Sequence, residues 1–288
     1  MITRSIITAA FLAVALTVAP SAFAKEAFEY KSAEVKDGIT MLYGAGGNIA
    51  VLESESGLLV VDNGFEPNSA ALSAALDAMN TKTQFVLNTH WHGDHTGGNA
   101  ELGGEATIMA HTNVRVRMAM GDEARELAPA KPVALPVVTY DDGATIHFGG
   151  QTVKAIHLPS GHTDGDTVVL FTQANVVHTG DLMFADKFPF IDKASGGSVD
   201  GYINNVQSII DMINADTIVI PGHGPIAGVE DVKRFKAMIE ATRVEVQELA
   251  TAGLTLEQAQ AKGLDAKWAS WGDFFIKEDR WIATLWAE

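Results

Sequence analysis

His90-Trp91-His92-Gly93-Asp94-His95 places four potential metal ligands within six residues. Three are imidazoles, which suit zinc, and one is a carboxylate. Upstream, Gln84-Phe85-Val86-Leu87-Asn88 reads as a short buried strand, and downstream Thr96-Gly97-Gly98-Asn99 reads as a turn. The ligands therefore sit on a loop that leaves a strand end. His90 and His92, two positions apart, point the same way while the backbone stays extended. Gly93 then lets the chain turn and bring Asp94 and His95 round from another side.

Further ligands must come from distant segments, and three stretches qualify. Ser160-Gly161-His162-Thr163 follows the strand-like Thr152 to Ile156. Thr179-Gly180-Asp181 follows Asn175 to His178. Pro221-Gly222-His223-Gly224-Pro225 follows Thr217 to Ile220. Each is a β-rich run, a small or glycine-bearing turn, and then one His or Asp. Strand ends converging on one edge would produce this recurrence.

With these residues the chain resembles the metallo-β-lactamase-fold hydrolases, whose signature is His-x-His-x-Asp-His followed by a His, an Asp and a His on later strand-end loops. The resemblance runs from about Phe28 to Ile239. It implies an αββα sandwich, an α/β fold of two mixed sheets faced by helices, with metals at one sheet edge. It also implies that His90, His92 and His162 hold one metal, that Asp94, His95 and His223 hold a second, and that Asp181 bridges them. Two Zn2+ ions are the expected cofactor, with iron or another divalent metal left open. Asp94 is the expected catalytic residue, orienting a metal-bridging hydroxide. Asp62, which ends the apolar run Gly57 to Val61, is expected beneath the metal loop as a hydrogen-bond acceptor.

The first 24 residues carry Arg4, an apolar run from Ile6 to Ala19, and Ala22-Phe23-Ala24, a small-x-small pattern. This reads as a cleaved secretory signal peptide, leaving residues 25–288 as the hydrolase domain with a Trp-rich helical tail. A periplasmic or secreted location follows, with no stable membrane anchor after cleavage. Cysteine is absent, so no thiolate serves as ligand or nucleophile. The formal net charge of −16 repels phosphate backbones and argues against a nucleic-acid partner. A small-molecule substrate is expected; the oligomeric state is not readable.

Along the chain, strands run from Glu34 to Val61, with a glycine turn at Gly44 to Gly47 and a hairpin return from Asn48. In the resembled family such a hairpin overhangs the active site; a plain turn is the other reading. Pro67 to Met79 and Asn113 to Met120 read as helices. The proline-bearing Asp122 to Pro136 is expected to connect the two halves. Gly149-Gly150 between alternating runs predicts a hairpin. Asp164 and Asp166 are assigned to turn chemistry, and His111, His147, His157 and His178 to structural roles. Leu182 to Val199 starts at a candidate ligand and carries Phe184, Phe188 and Phe190, the expected substrate wall. Asp200 to Ile213 and Glu230 to Leu249 read as amphipathic helices. The aromatic tail from Trp268 is expected to be buried within the molecule.

His92 favours hydrolysis over di-iron redox chemistry, where the resembled family places Glu. Asp181, in place of Cys or Ser, resembles the thioesterase and lactonase branches more than true lactamases. The expected activity is opening of a small cyclic amide or ester, of β-lactam or lactone type. The alternatives are a thioesterase-like hydrolase, a mononuclear iron persulfide dioxygenase, and a non-catalytic metal-binding protein.

Overall fold

The computed structural model describes residues 28–79 and 81–286. The signal-peptide reading falls on residues 1–24 and lies outside the described residues. Among those described, no helix is long and apolar enough to cross a membrane.

Among the described residues, twelve strands form two sheets. The first contains β1 (Lys31–Lys36), β2 (Ile39–Tyr43), β3 (Ile49–Ser54), β4 (Gly57–Val61), β5 (Thr83–Leu87), β6 (Thr107–His111) and β7 (Val138–Tyr140) in sequence order. Its first four strands pair antiparallel, and β4 to β7 pair parallel. The second contains β8 (Gly143–Phe148), β9 (Gln151–His157), β10 (Thr167–Phe171), β11 (Val176–His178) and β12 (Ile218–Ile220), antiparallel except for the β11–β12 pair. The Gly149-Gly150 hairpin joins β8 and β9, as its sequence implies. The link between the sheets is Asp141-Asp142, between β7 and β8. The proline-bearing segment is not that link; it runs through 3-10 turns before β7.

The helices are α1 (Ser69–Asp77), α2 (Gly93–Thr96), α3 (Asn99–Leu102), α4 (Thr112–Met120), α5 (Val199–Met212), α6 (Val229–Thr251), α7 (Leu256–Lys262) and α8 (Glu278–Trp286). All but α2, which lies in the loop that carries Asp94 and His95, make the outer layers. The period-2 alternation of the strands divides their side chains between cores. In β4, Leu59 and Val61 enter the core between the sheets with Phe171, Val169 and Ile220, while Leu58 and Val60 face α1 through Leu72 and Leu76. A strand buried on both faces must be apolar throughout, and Gly57-Leu58-Leu59-Val60-Val61 is. On the far side, Val206 and Ile209 of α5 and Val232, Phe235 and Ile239 of α6 cover the second sheet through Val168, Val177 and Val219. The layers are therefore helix, sheet, sheet, helix: the αββα sandwich.

The tail closes back on α6. Trp281 is fully buried, its Nε1 donates to Thr242 Oγ1 at 3.0 Å, and its ring stacks on Phe188 at 5.6 Å. The tail does not bury all its aromatics, however. Phe274 is 40% and Phe275 58% exposed, for a reason that the site makes clear.

Candidate metal centre

Strands β4, β5, β9, β11 and β12 all end at one edge of the sandwich, and the loops that leave them bring the polar groups together. Two clusters result, their ligand atoms lying within 4.8 Å of one another in each: His90, His92, His162 and Asp181, and Asp94, His95, His223 and Asp181. Asp181 is common to both. Its Oδ2 is 3.9 Å from His90 Nε2 and 3.5 Å from His162 Nε2, while its Oδ1 is 3.0 Å from His95 Nε2 and 3.4 Å from His223 Nε2. Asp94 Oδ2 lies 3.2 Å from His223 Nε2. All seven residues of the sequence motif set thus meet at one place.

The far nitrogens assign the tautomers. His90 Nδ1 meets Thr89 Oγ1 at 3.0 Å, and that hydroxyl donates to Asp62 Oδ2 at 2.7 Å, so the His90 proton is on Nδ1. His95 Nδ1 donates to Asp62 Oδ2 at 2.7 Å, and His162 Nδ1 to the Phe190 carbonyl at 2.7 Å. His92 is turned the other way: its Nε2 donates to Asp192 Oδ2 at 2.8 Å, leaving Nδ1 to face His90 and His162. Each hydrogen bond keeps the proton away from the cluster and aims a lone pair inward, which metal coordination requires.

Asp62 supports two of these rings and also accepts from Thr89 N at 2.7 Å. Asp192 is the support that sequence reading missed. It lies 100 residues from His92 in a loop without regular periodicity. It is held by Arg125 Nη2 at 2.5 Å, and its amide donates to the His162 carbonyl. Burial opposes its charge, but His92 and Arg125 hold the carboxyl well below its ordinary value. Asp166, buried in the His162 turn, accepts from the amides of His162 and Thr163 and from Thr163 Oγ1, so its turn chemistry positions that imidazole. Asp164 forms a bidentate pair with Arg117. His178 is structural: Nδ1 accepts from Gly180 N, and Nε2 donates to the Asn48 carbonyl. His157 stacks on His111 at 3.8 Å, away from the clusters.

The donor set fits a bound cation. His95 Nε2 and Asp181 Oδ1 are buried, 3.0 Å apart, and make no well-aligned hydrogen bond. Buried polar atoms without partners are costly, and a cation between them would satisfy both. The charges agree. Burial opposes protonation of His95, but Asp181, Asp94 and Asp62 outweigh it and hold the imidazole well above its usual value. His223 is likewise lifted to about 9 by Asp181 and Asp94 against its burial. Without metal, protons occupy this half of the site. Burial instead pushes His162 down to about 4 and His90 well down, with neighbouring imidazoles adding to the shift.

The glycine hairpin between β2 and β3 is docked on the centre. Gly47 N donates to the Asp94 carbonyl at 3.0 Å and Asn48 N to the Gly222 carbonyl at 2.7 Å. A side chain at Gly47 would collide with the His95 ring, and one at Gly222 with Asp181 Oδ1. Here glycine is required by close approach.

A cavity of about 580 Å³ opens above the clusters, lined by His92, Asp94, Asp181, His223, Gly44, Gly46 and five phenylalanines: Phe65, Phe184, Phe190, Phe274 and Phe275. Phe184 stacks on His223 at 5.0 Å and Phe190 on His92 at 5.7 Å. Phe188 does not line it; at 1% exposure it is core, occupied by its stacking on Trp281. Phe274 and Phe275 stay exposed because they face this opening.

A family model described as the metallo-beta-lactamase superfamily matches residues 42–223. The chain is 36% identical over 131 residues to a hydroxyacylglutathione hydrolase of Methylococcus capsulatus, covering 42% of this chain and 46% of that protein. It is 28% identical over 185 residues to a beta-lactamase-like protein 2 homolog of Caenorhabditis elegans, covering 63% and 57% respectively. The chain spans about half the length of these curated relatives. A metallo-beta-lactamase from Pontibacter korlensis superposes with a TM-score of 0.61 at 16% identity, over 74% of this chain and 99% of that one, a likeness of fold. With the family match covering more than half of its length and the ligand loops in place at the sheet edge, the chain belongs to the metallo-beta-lactamase superfamily.

Proposed function

We propose that the protein is a dinuclear zinc hydrolase that opens the carbonyl–heteroatom bond of a small ester or amide, a lactone in preference to a β-lactam. The observation that carries this is the sharing of Asp181 between two complete four-residue clusters. Zinc bound there would supply a water acidified to near-neutral pKa and a Lewis-acid contact for the carbonyl oxygen. Iron or another divalent ion is compatible with the same N and O donors.

The chain's own residues supply the remainder. Asp94 is the most exposed of the cluster residues, with a side chain 21% accessible, and it lines the cavity. It is placed to take the proton of the attacking water and return it to the leaving group. Asp62 and Asp192 fix the rings through their far nitrogens. The phenylalanines exclude bulk water from the reacting carbonyl.

The lactone preference rests on the cavity wall: among the described residues, no Lys or Arg lines it to grip the carboxylate of a β-lactam. A thioester is the second reading, favoured by the 36% match to a hydroxyacylglutathione hydrolase. Residues 1–24 support export to the periplasm or beyond the cell.

The test is hydrolysis of a lactone, a β-lactam and a thioester by zinc-loaded protein, with Asp94→Ala as control. The expected order is lactone fastest, with Asp94→Ala slower by about 10²–10⁴-fold. Failure of the zinc-loaded protein to turn over any of the three would overturn the proposal.

A further inference from the structure

Resting on the two-metal reading, we propose that the C-terminal tail builds the specificity wall, and that the wall selects neutral substrates carrying an apolar arm. Above the ligands, among the described residues, the cavity presents glycine and phenylalanine. Phe274 and Phe275 come from the tail between Trp271 and α8, Phe65 from the turn before α1, and Phe184 and Phe190 from the loop after Asp181. Three remote segments thus deliver the same chemistry to one opening.

Two exposed phenylalanines in sequence are costly to leave in water unless they meet an apolar partner. Phe274 packs on His223 at 5.5 Å and Phe275 edge-on to Phe190 at 5.8 Å, so both are tied to residues that reach the metal clusters. Arg280 lies over the faces of Phe190 and Phe275, at 5.0 and 4.9 Å, and does not line the cavity. It braces the rings by cation–π contact. The chain's net charge of −16 further disfavours anionic substrates on approach. At about 580 Å³ the cavity accepts a drug-sized molecule. Its occupant is therefore an acyl or aryl arm attached to the carbonyl at the metals.

The arm is measured without turnover, using alkyl hydroxamates as inert metal-directed probes and calorimetry on the zinc-loaded protein. From acetohydroxamate to octanohydroxamate, affinity is expected to rise about fourfold per buried methylene until the wall is filled. Phe275→Ala, at a surface position that the core does not need, should cut octanohydroxamate binding at least about tenfold and leave acetohydroxamate unchanged. Phe274→Ala should likewise weaken octanohydroxamate binding. A flat series, or tighter binding of an ω-carboxylated hydroxamate of equal length, overturns the inference even if hydrolysis stands. A steep series with no hydrolysis of any ester supports this wall while overturning the hydrolase reading.

Discussion

His90, His95, His162 and Asp181, at the floor of the site, are at most 5% exposed, whereas Phe65, Phe274 and Phe275 in its wall are 40% exposed or more. The floor is polar, comes from loops at strand ends, and is held by hydrogen bonds to Asp62, Asp166 and Asp192. The wall is apolar, comes from the turn before α1, the loop after Asp181 and the tail, and is held largely by ring contacts. Chemistry that needs fixed lone pairs is placed where the backbone is most constrained. Discrimination between substrate arms is placed where side chains are least constrained. The two regions should therefore fail independently.

The largest effect is expected at the floor. Asp181→Ala removes the carboxylate that both clusters share and leaves His95 without its strongest counter-charge. On the proposed two-metal reading, metal content should fall from two ions to one or none by elemental analysis. Turnover should drop by about a thousandfold or more, the several kcal/mol of barrier that a Lewis acid supplies. Hydrophobic probes should still enter the wall. Two ions retained in Asp181→Ala would show that Asp181 is not the bridge.

A smaller and opposite effect is expected from Trp281→Ala. Trp281 stacks on Phe188 and anchors the tail, and truncating a fully buried Trp costs about 3–5 kcal/mol. Thermal unfolding should occur earlier, and preference for long acyl arms should weaken as Phe274 and Phe275 lose their support. Both metals should remain. Loss of metal in this variant would mean that floor and wall form one cooperative unit, and the distinction between them would be lost.

This division also accounts for what could be read in the sequence. A ligand at a strand end is a local event: a β run, a short turn, then His or Asp; Asp62 and His90 follow their runs directly or after Asn88-Thr89, and His162, Asp181 and His223 each follow a glycine. The both-face burial of β4 and the Gly149-Gly150 hairpin are equally local. Asp192 and Arg125 are not, because they act on His92 across 100 and 33 residues of sequence. The one signal Asp192 carried was its place before a Ser-Gly turn, where it accepts from Ser195 N. Phe184, Phe188 and Phe190 could not be separated, since a loop has no period to say which side chain faces inward. Phe274 and Phe275 read as core because an exposed aromatic pair makes sense only once a cavity is known to lie beside it. The proline-rich segment read as the bridge between sheets because punctuation marks a loop without saying where it leads.

The last contrast is one of protons. Without metal, His223 is lifted to about 9 and His95 well above its ordinary value by the carboxylates around them, against the opposing effect of burial. The folded state then holds protons that the unfolded chain releases near pH 6.5. That stabilisation is complete below about pH 6.5 and is lost as pH rises through about 9. Asp166, pushed up to about 8 by burial, acts in the same direction over a lower window, from about pH 4 to about pH 8, with or without metal. The phenylalanine wall carries no proton and contributes nothing in this window. Chelator-stripped protein should therefore melt at progressively lower temperature between pH 6.5 and 9.5. Zinc-loaded protein should lose much less, because the cation replaces the protons at His95 and His223 and leaves the Asp166 contribution, which ends near pH 8. Identical profiles for the two forms would mean that these carboxylates are neutralised by something other than the metal or the imidazoles, and the fit of the floor to a cation would fail with it.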